Sequence, residues 1–259
     1  MGLKKIRLDL LCVEKGLAPS RQRAQALILA GQVLVDDEPV TKAGTSVAEV
    51  ASLRLRGADH PFVSRGGLKL QAALDAFSLD ISGKVALDVG ASTGGFTDCL
   101  LQNGARHVIA VDVGYGQLAW KLRQDVRVTN IERCNARNLE VGTLREALGE
   151  RDVWPLELAT IDVSFISLQL VLPAVHRILG AERPIIALVK PQFEAGRADV
   201  GKGGVVRDPE KRQLALTKVL DWARQEGYEV KGELDSPVPG PKGNVERLVL
   251  LITPSIKNE

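Results

Sequence analysis

A short apolar run followed by a glycine-rich turn constrains the fold of this chain more than any other feature. The run Val85–Val89 has the length of a buried strand, and the turn Gly90–Gly95 leads into a helical pattern at 96–102. Further apolar runs follow at residues 108–112, 158–163, 185–189 and 247–252, and another strand is predicted at 230–234. Strands that are apolar on both faces and alternate with helices are typical of an open, mostly parallel α/β sheet. The sequence therefore predicts an α/β domain of this kind.

The first 57 residues have a different pattern. Apolar side chains recur at helical spacing from Ile6 to Leu17, and Ser20 is a suitable N-cap for a second helix that ends before Gly31. Short strands are predicted at 33–35 and 53–55. We therefore expect three parts, a small α+β domain at residues 1–57, a linker at 58–67 and the α/β domain at 68–259.

Composition excludes several classes of protein. The 259 residues are 45% hydrophobic with a net charge of +2, which excludes a wholly disordered chain. Three widely spaced cysteines do not form a disulfide scaffold and indicate a reducing compartment. No export signal and no apolar stretch long enough to span a membrane are visible. The expected location is the cytoplasm, without a membrane partner.

The glycine-rich turn predicts a cofactor site. Asp112 ends the second apolar run, where a carboxylate can accept hydrogen bonds from the ribose of a nucleoside. A dinucleotide fingerprint needs a second glycine close to the first, but Ala91 and Ser92 occupy that part of the turn. The loop therefore favours S-adenosylmethionine, with NAD or a purely structural turn as the alternatives.

Two lysines and two carboxylates stand where a catalytic group would be expected. Asp162 and Lys190 end apolar runs, Glu246 precedes the last run, and Lys69 lies just before the sheet. Taken singly, each could belong to an ordinary surface ion pair. Taken together beside a methyl-donor loop, they predict a catalytic set, because a lysine whose pKa falls from about 10.4 can deprotonate a ribose 2′-hydroxyl. The histidines and cysteines lack the spacing of a zinc site, so no metal is expected.

These residues and motifs together resemble the TlyA (hemolysin A) family of ribosomal RNA methyltransferases, which is part of the FtsJ-like 2′-O-methyltransferases. The resemblance covers essentially the whole chain. It is carried by the order Lys69, Asp162, Lys190, Glu246 and by residues 64–67 (SRGG), 88–98 (DVGASTGGFTD), 189–194 (VKPQFE) and 203–208 (GGVVRD).

The resemblance implies a Rossmann-like class I methyltransferase domain preceded by an RNA-binding domain like that of a small-subunit ribosomal protein. It implies S-adenosylmethionine-dependent 2′-O-methylation of cytidine in ribosomal RNA, with Lys190 as the base and Lys69, Asp162 and Glu246 in support. The cofactor-binding residues are then expected to be Asp88, Gly90, Ser92, Gly94, Gly95, Asp112 and Asn135.

The expected partner is ribosomal RNA or a ribosomal subunit. Basic side chains that we expect to contact RNA are Lys4, Lys5, Arg7, Arg21, Arg23 and Arg65. A solvated helix face is the alternative explanation for those in the first domain. The segment 193–207, with Arg197 and Lys202, is expected to be mobile and to clamp RNA. Two other functions compete with this hypothesis, a membrane-acting hemolysin and a non-catalytic RNA-binding protein.

Overall fold

The computed structural model describes residues 5–36, 38–55, 60–151, 153–196, 199–201, 203–240 and 243–255. The chain divides into two compact units, an N-terminal unit of Met1–Pro61 and a C-terminal unit of Phe62–Glu259. Residues 62–67 of the expected linker belong to the C-terminal unit, where Phe62 is buried and the first helix begins at Gly66 rather than at Leu68. Residues 56–59 of the linker region lie outside the described residues.

Among its described residues, the N-terminal unit contains two helices and two small antiparallel sheets. The elements are β1 (Lys5–Arg7), α1 (Leu8–Glu14), α2 (Arg21–Leu29), β2 (Val33–Val35), β3 (Glu38–Pro39), β4 (Ser46–Ala48) and β5 (Leu53–Leu55). Strand β1 pairs with β4, and β2 lies between β3 and β5. Leu8, Leu11 and Ile28 are fully buried between the helices and the strands.

The second helix of this unit begins and ends as predicted. Ser20 Oγ accepts a hydrogen bond from the Arg23 backbone N–H at 3.2 Å, and Gly31 follows the helix in the left-handed conformation with φ +67°. The predicted start of the first helix at Ile6 is wrong. Residues 5–7 instead pair with Ser46–Ala48, a long-range contact that helical spacing cannot reveal.

The C-terminal unit alternates strands and helices along its length. Its elements are α3 (Gly66–Phe77), β6 (Val85–Val89), α4 (Gly95–Gln102), β7 (His107–Val111), α5 (Trp120–Arg123), β8 (Val128–Ile131), a 3-10 turn (Ala136–Asn138), α6 (Val141–Leu148), β9 (Leu158–Ile161), α7 (Leu168–Leu179), β10 (Pro184–Val189), α8 (Pro191–Glu194), α9 (Pro209–Gln225), β11 (Glu229–Asp235) and β12 (Arg247–Ile252). No helix of the described part of the chain is long and apolar enough to cross a membrane.

The strands of this unit form one seven-stranded sheet in the order β11-β12-β10-β9-β6-β7-β8. The five strands from β10 to β8 are parallel, and β12 is antiparallel to both of its neighbours. Side chains on the Leu87 face pack against α6, α7 and α9, whereas those on the Ala86 face pack against α3 and α4. Chain order reverses at β6, so the carboxyl end of this strand is the point where α/β sheets bind ligands. The predicted mostly parallel α/β fold is confirmed.

Candidate active site

The glycine-rich loop joins β6 to α4 and approaches the end of β9 closely. Gly90 has φ +88°, and a Cβ built on it would lie 2.6 Å from the Asp162 carbonyl oxygen. The backbone N–H groups of Gly90 and Ala91 both donate to the Val111 carbonyl, at 2.8 and 3.1 Å. Only a residue without a side chain fits at Gly90, so the loop and the start of the β9–α7 connection can share one site.

Asp112 follows β7 and anchors the loop from the other side. Its Oδ2 accepts the Ser92 backbone N–H at 2.8 Å, and its Oδ1 accepts the Gly114 N–H at 2.6 Å. Each carboxylate oxygen has a second lone pair, so Asp112 can still accept hydrogen bonds from a ligand.

Asp88 and Gly94 do not take the positions expected of cofactor-binding residues. Asp88 is fully buried within β6, where it accepts hydrogen bonds from the hydroxyls of Thr97 (2.6 Å) and Thr160 (3.0 Å). Burial raises the pKa of Asp88 to about 6. Gly94 begins α4 at φ +97°, against Leu122. Neither residue lines either of the cavities found among the described residues.

Lys69 and Glu246 form a buried ion pair. Lys69 Nζ donates to Glu246 Oε2 at 2.5 Å, and both side chains are almost completely removed from solvent. Lys69 is positioned by the first turns of α3, and Glu246 by the start of β12. Because β12 is antiparallel to β10, its first residues meet the carboxyl ends of the parallel strands.

Lys190 and Asp162 form the second pair of the set. Lys190 Nζ lies 2.6 Å from Asp162 Oδ1 and donates a hydrogen bond to Ser164 Oγ at 2.9 Å. Lys190 directly follows β10 and Asp162 directly follows the parallel neighbour β9. Adjacent parallel strands therefore deliver the two residues to the same edge of the sheet.

Two adjacent cavities lie at this edge of the C-terminal unit. The inner cavity, of about 300 Å³, is lined by Ser64, Arg65, Gly66, Lys69, Gly90, Ala91, Ser92, Thr93, Gly95, Phe96, Asp162, Ser164, Lys190 and Pro239. The outer cavity, of about 1000 Å³, includes Asp112 and Asn135 in its lining. Gly90, Ser92, Asp162 and Ser164 line both cavities. Three of the four predicted catalytic residues thus line the inner cavity, and Glu246 is joined to it through Lys69.

Three further residues shape this site, although the sequence carries little signal for their roles. Ser164 was visible only as a serine two residues after Asp162. Phe165 is 90% exposed with φ +65°, and its ring lies 5.1 Å from that of Phe193 in the lining of the outer cavity. Glu194 is buried and accepts hydrogen bonds from Ser167 Oγ (2.6 Å) and Leu168 N–H (2.8 Å). It thereby ties α8 to the connection that carries Ser164.

The predicted RNA-binding residues occupy different environments. Arg7 and Arg21 both bond to the buried carboxylate of Asp9, at 2.9–3.0 Å, and the hydrogen bond from Arg7 holds the pKa of Asp9 well below its usual range. Lys5 and Arg23 are exposed on β1 and α2. Arg65 belongs to the C-terminal unit and lines the inner cavity. Lys4, Arg197 and Lys202 lie outside the described residues.

The arrangement of loop, acidic residue and cavity defines a class of protein. A glycine-rich loop at the switch point, an acidic residue after the next strand and a cavity lined by lysines are features of Rossmann-like nucleoside-binding enzymes. Within the described part of the chain, no group of three or more histidine, cysteine, aspartate or glutamate side chains could hold a metal ion.

Comparison with known proteins places the chain within this class. Residues 62–252 match the FtsJ-like methyltransferase family, and residues 6–49 match the S4 domain. YqxC of Bacillus subtilis strain 168 is 47% identical over 98% of this chain and 88% of its own length. The 16S/23S rRNA (cytidine-2′-O)-methyltransferase TlyA of Mycobacterium tuberculosis is 47% identical over 96% of this chain and 91% of its own. A solved structure described as a hemolysin from Streptococcus thermophilus is 43% identical, with TM-score 0.74, over 98% of this chain and 90% of that one.

The chain therefore belongs to the FtsJ-like methyltransferase family, in the branch of the TlyA and hemolysin proteins, with an S4 domain in its N-terminal unit. The predicted methyltransferase activity and S-adenosylmethionine cofactor are confirmed by this membership.

The residues present also fit that cofactor. The carboxylate of Asp112 and the amide of Asn135 line the larger cavity beside apolar side chains, which suits a nucleoside, and three cationic side chains line the smaller one. One buried acceptor in the lining of the larger cavity, Gln192 Oε1, receives no hydrogen bond from the described residues, whereas Asp162 Oδ1 is engaged by Lys190.

Proposed function

We propose that this chain methylates the 2′-hydroxyl of a cytidine in ribosomal RNA, with Lys190 as the base. The observation that carries the proposal is the position of Lys190, Asp162 and Lys69 in one cavity that shares Ser92 and Ser164 with the lining of a second, larger cavity. The named activity of the M. tuberculosis relative supports the choice of cytidine and of the 2′-hydroxyl.

Lys190 takes the proton of the attacking hydroxyl in this mechanism. Its amine is held between the Asp162 carboxylate at 2.6 Å and Ser164 Oγ at 2.9 Å, which fixes its direction towards the cavity. When bound, S-adenosylmethionine supplies a methyl group on a positively charged sulfur. Proton removal by a positioned base contributes about 10²–10⁴ in rate. Alignment of the hydroxyl with the methyl group contributes up to about 7–11 kcal/mol.

Lys69 and Glu246 support the reaction as a neutral pair. The pair places an ammonium group against the inner cavity without adding net charge to it. With Lys190 neutral, as a base must be, the four side chains carry one positive charge on Lys69 and two negative charges on Asp162 and Glu246, and the sulfonium of the cofactor supplies the second positive charge. This balance allows a positively charged cofactor and a lysine base to occupy the same small space.

In this proposal the two cavities bind different parts of the cofactor, the nucleoside in the outer cavity and the methionine end in the inner one. Asp112 and Asn135 bind the ribose and the adenine in the outer cavity, while Gly90 and Ser92 border both cavities and Gly95 borders the inner one. Arg65, expected from the sequence to contact RNA, lies where its guanidinium suits the carboxylate of the methionine end.

The N-terminal unit serves RNA recognition in this proposal. We assign residues 1–57 to an RNA-binding domain, 58–67 to a linker and 68–259 to the methyltransferase domain, with Lys4, Lys5, Arg7, Arg21 and Arg23 directed to RNA phosphates. We assign ribosomal RNA, free or within a subunit, as the partner of the protein. We assign the cytoplasm as the place where the two meet. Binding should weaken by about 0.7–0.9 log units per tenfold rise in salt for each phosphate neutralised.

The decisive experiment is transfer of a labelled methyl group to each ribosomal subunit, followed by mapping of the modified nucleotide. Lys190→Ala and Lys190→Arg should abolish transfer and retain affinity for S-adenosylmethionine, since neither side chain can accept the proton. Lys84→Ala is the matched control, because the half-buried Lys84 lines neither cavity and its side-chain amine bonds only to the Asp80 carbonyl among the described residues. Retained turnover in Lys190→Ala would remove the assignment of the base.

The same preparation separates the competing functions. A membrane-acting hemolysin would release dye from liposomes, and a non-catalytic RNA-binding protein would bind ribosomal RNA without transferring label. We expect label on RNA and no leakage.

A further inference from the structure

Two exposed aromatic rings and an arginine lie on one surface segment of the C-terminal unit. Aromatic residues make up only 4% of the chain, yet Tyr115 is 69% exposed and Trp120 is 67% exposed. The Arg133 guanidinium lies over the Tyr115 ring, 4.3 Å from its centroid. We call Tyr115, Trp120 and Arg133 the aromatic rim. A single exposed ring needs no explanation, but this group borders a functional cavity.

Hydrogen bonds hold the aromatic rim in place. The Gly114 carbonyl accepts the Arg133 N–H at 3.0 Å, and the Gly116 N–H donates to Glu132 Oε1 at 2.9 Å. Arg123 Nε donates to the Leu118 carbonyl at 3.2 Å and its guanidinium pairs with Glu132. The two rings therefore project from a fixed backbone.

The same segment borders the site described above. Asp112, Val113 and Gln117, which precede Trp120 in the segment, line the outer cavity. The Ala119 N–H donates to the carbonyl of Thr93, in the glycine-rich loop, at 3.0 Å. The aromatic rim thus flanks the cavity without lining it, because neither ring nor Arg133 belongs to the lining.

Charge around the aromatic rim is positive. Residues 113–137 contain five basic and two acidic side chains. Both acids are paired, Asp125 with Arg127 and Glu132 with Arg123, and Lys121 pairs with Asp98 outside the segment. Arg133 and Arg137 have no carboxylate within 4.0 Å among the residues that the structure describes. Exposed π faces beside uncompensated guanidinium groups match the chemistry of unpaired nucleotides, which offer base faces and phosphates.

From this geometry we infer that the aromatic rim binds unpaired RNA nucleotides that flank the target nucleotide. One base stacks on Trp120, another stacks on the free face of Tyr115, and Arg133 attracts the intervening phosphate. The inference rests on the proposed function for the identity of the RNA. Stacking of this kind tolerates any base, so the aromatic rim adds affinity and leaves the choice of nucleotide to the cavity.

The test compares Tyr115→Ala and Trp120→Ala with Trp120→Phe, which keeps a ring. Leu214→Ala is the matched control, because Leu214 is 65% exposed on helix α9 and carries no ring. Each loss of a ring should weaken binding of protein-free ribosomal RNA roughly five- to hundredfold. Trp120→Phe should retain most of the affinity. Affinity for S-adenosylmethionine, measured by calorimetry, should match that of the wild type in every variant.

A fluorescence titration gives a second readout that does not depend on catalysis. With Trp154 and Trp222 replaced by Phe, Trp120 is the remaining tryptophan, and stacked bases should quench it as RNA is added. Unquenched fluorescence on RNA binding would overturn the inference.

The possible failures can be told apart. In one outcome, the wild type transfers methyl groups to RNA, and Trp120→Ala and Tyr115→Ala bind RNA as tightly as the control Leu214→Ala. This outcome would overturn the role of the aromatic rim and leave the proposed function intact. Absence of wild-type transfer would count against the proposed function, while quenching by RNA would still support the aromatic rim. A loss confined to intact subunits, with protein-free RNA unaffected, would assign the surface to a protein partner and overturn the inference. Weaker S-adenosylmethionine binding in the ring variants would overturn it as well.

Discussion

Lys69 and Glu246 are separated by 177 positions in the sequence, and their side chains meet at 2.5 Å in the interior of the C-terminal unit. The pair joins the first helix of this unit to its last strand. Since neither charge is in contact with bulk water, each depends on the other for compensation.

Replacing Glu246 with Gln should therefore affect stability as well as activity. The substitution leaves the Lys69 ammonium buried without a counter-charge, which costs about 3–5 kcal/mol in comparable cases. Urea unfolding should show this loss. The double variant Lys69→Met/Glu246→Leu should recover most of the stability and still fail to transfer methyl groups. Wild-type stability in Glu246→Gln would contradict the importance of the pair.

Gly90→Ala should disable the site more than it destabilises the fold. The Cβ of an alanine at position 90 would lie 2.6 Å from the Asp162 carbonyl oxygen, so Asp162 must shift. Lys190 must shift as well, because it is paired with the Asp162 carboxylate. A displacement of about 1 Å can cost roughly a hundredfold in rate. Gly83→Ala is the control, since Gly83 has φ +72° with nothing within 4 Å of the added carbon. It should lose about 1–2 kcal/mol from left-handed strain alone and keep full transfer. Equal rate losses in the two variants would assign the effect to backbone strain.

Asp88 should make the protein less stable as pH rises from about 4 to 6. Burial raises its pKa to about 6 in the folded state, against about 3.9 in an unfolded chain. The folded state therefore holds the proton more tightly, and ionisation above this range costs up to about 3 kcal/mol. Asp88→Asn should remove this slope. Urea unfolding at several pH values between 4 and 7 would measure this pH dependence. If the free energy of unfolding changed equally with pH in the wild type and in Asp88→Asn, the role of Asp88 would be refuted.

Asp9 should stabilise the packing of helices α1 and α2 in the N-terminal unit. Its buried carboxylate accepts hydrogen bonds from Arg7, Arg21 and Gln25, and bonds to charged groups contribute about 1.5–3 kcal/mol each. Asp9→Ala should speed hydrogen exchange in α1 and α2 by roughly ten- to hundredfold and leave the C-terminal unit unchanged.

The stabilisation by Asp9 also has a pH dependence. Because the pKa of Asp9 is lowered in the folded state, its contribution is complete above the unfolded pKa and is lost as pH falls below about 4. Asp221→Asn, at an exposed pair with Arg224 on α9, is the control. Unchanged exchange in Asp9→Ala would contradict this role.

The sequence predicted those features of the fold that local signals specify. Apolar runs such as Val85–Val89 are buried strands in the structure, and Ser20 caps α2 by accepting the Arg23 N–H at 3.2 Å. The four predicted catalytic side chains come together as two ion pairs because each stands at a strand end or just before the sheet.

Other features depend on contacts that the order of residues does not reveal. Strand β8 and helices α6 and α7 are not predicted from the sequence. Their apolar side chains pack against the strands of the sheet, and the local sequence does not specify this long-range packing. Asp88 looked like a cofactor residue from its closeness to the loop, but strand alternation directs it to Thr97 and Thr160. The sequence also does not reveal that Arg7 and Arg21, predicted from their charge to contact RNA, both pair with the buried carboxylate of Asp9.

The antiparallel strand β12 also makes the site sensitive to incomplete synthesis. A polypeptide that terminates before residue 246 still contains the glycine-rich loop, Asp112 and both lysines, but it has no carboxylate to neutralise Lys69. Such a fragment also lacks β12, which lies between β10 and β11 and supplies the fully buried side chains of Leu248, Val249 and Leu251. Completion of the chain therefore closes the sheet and supplies the counter-charge for Lys69 in a single step.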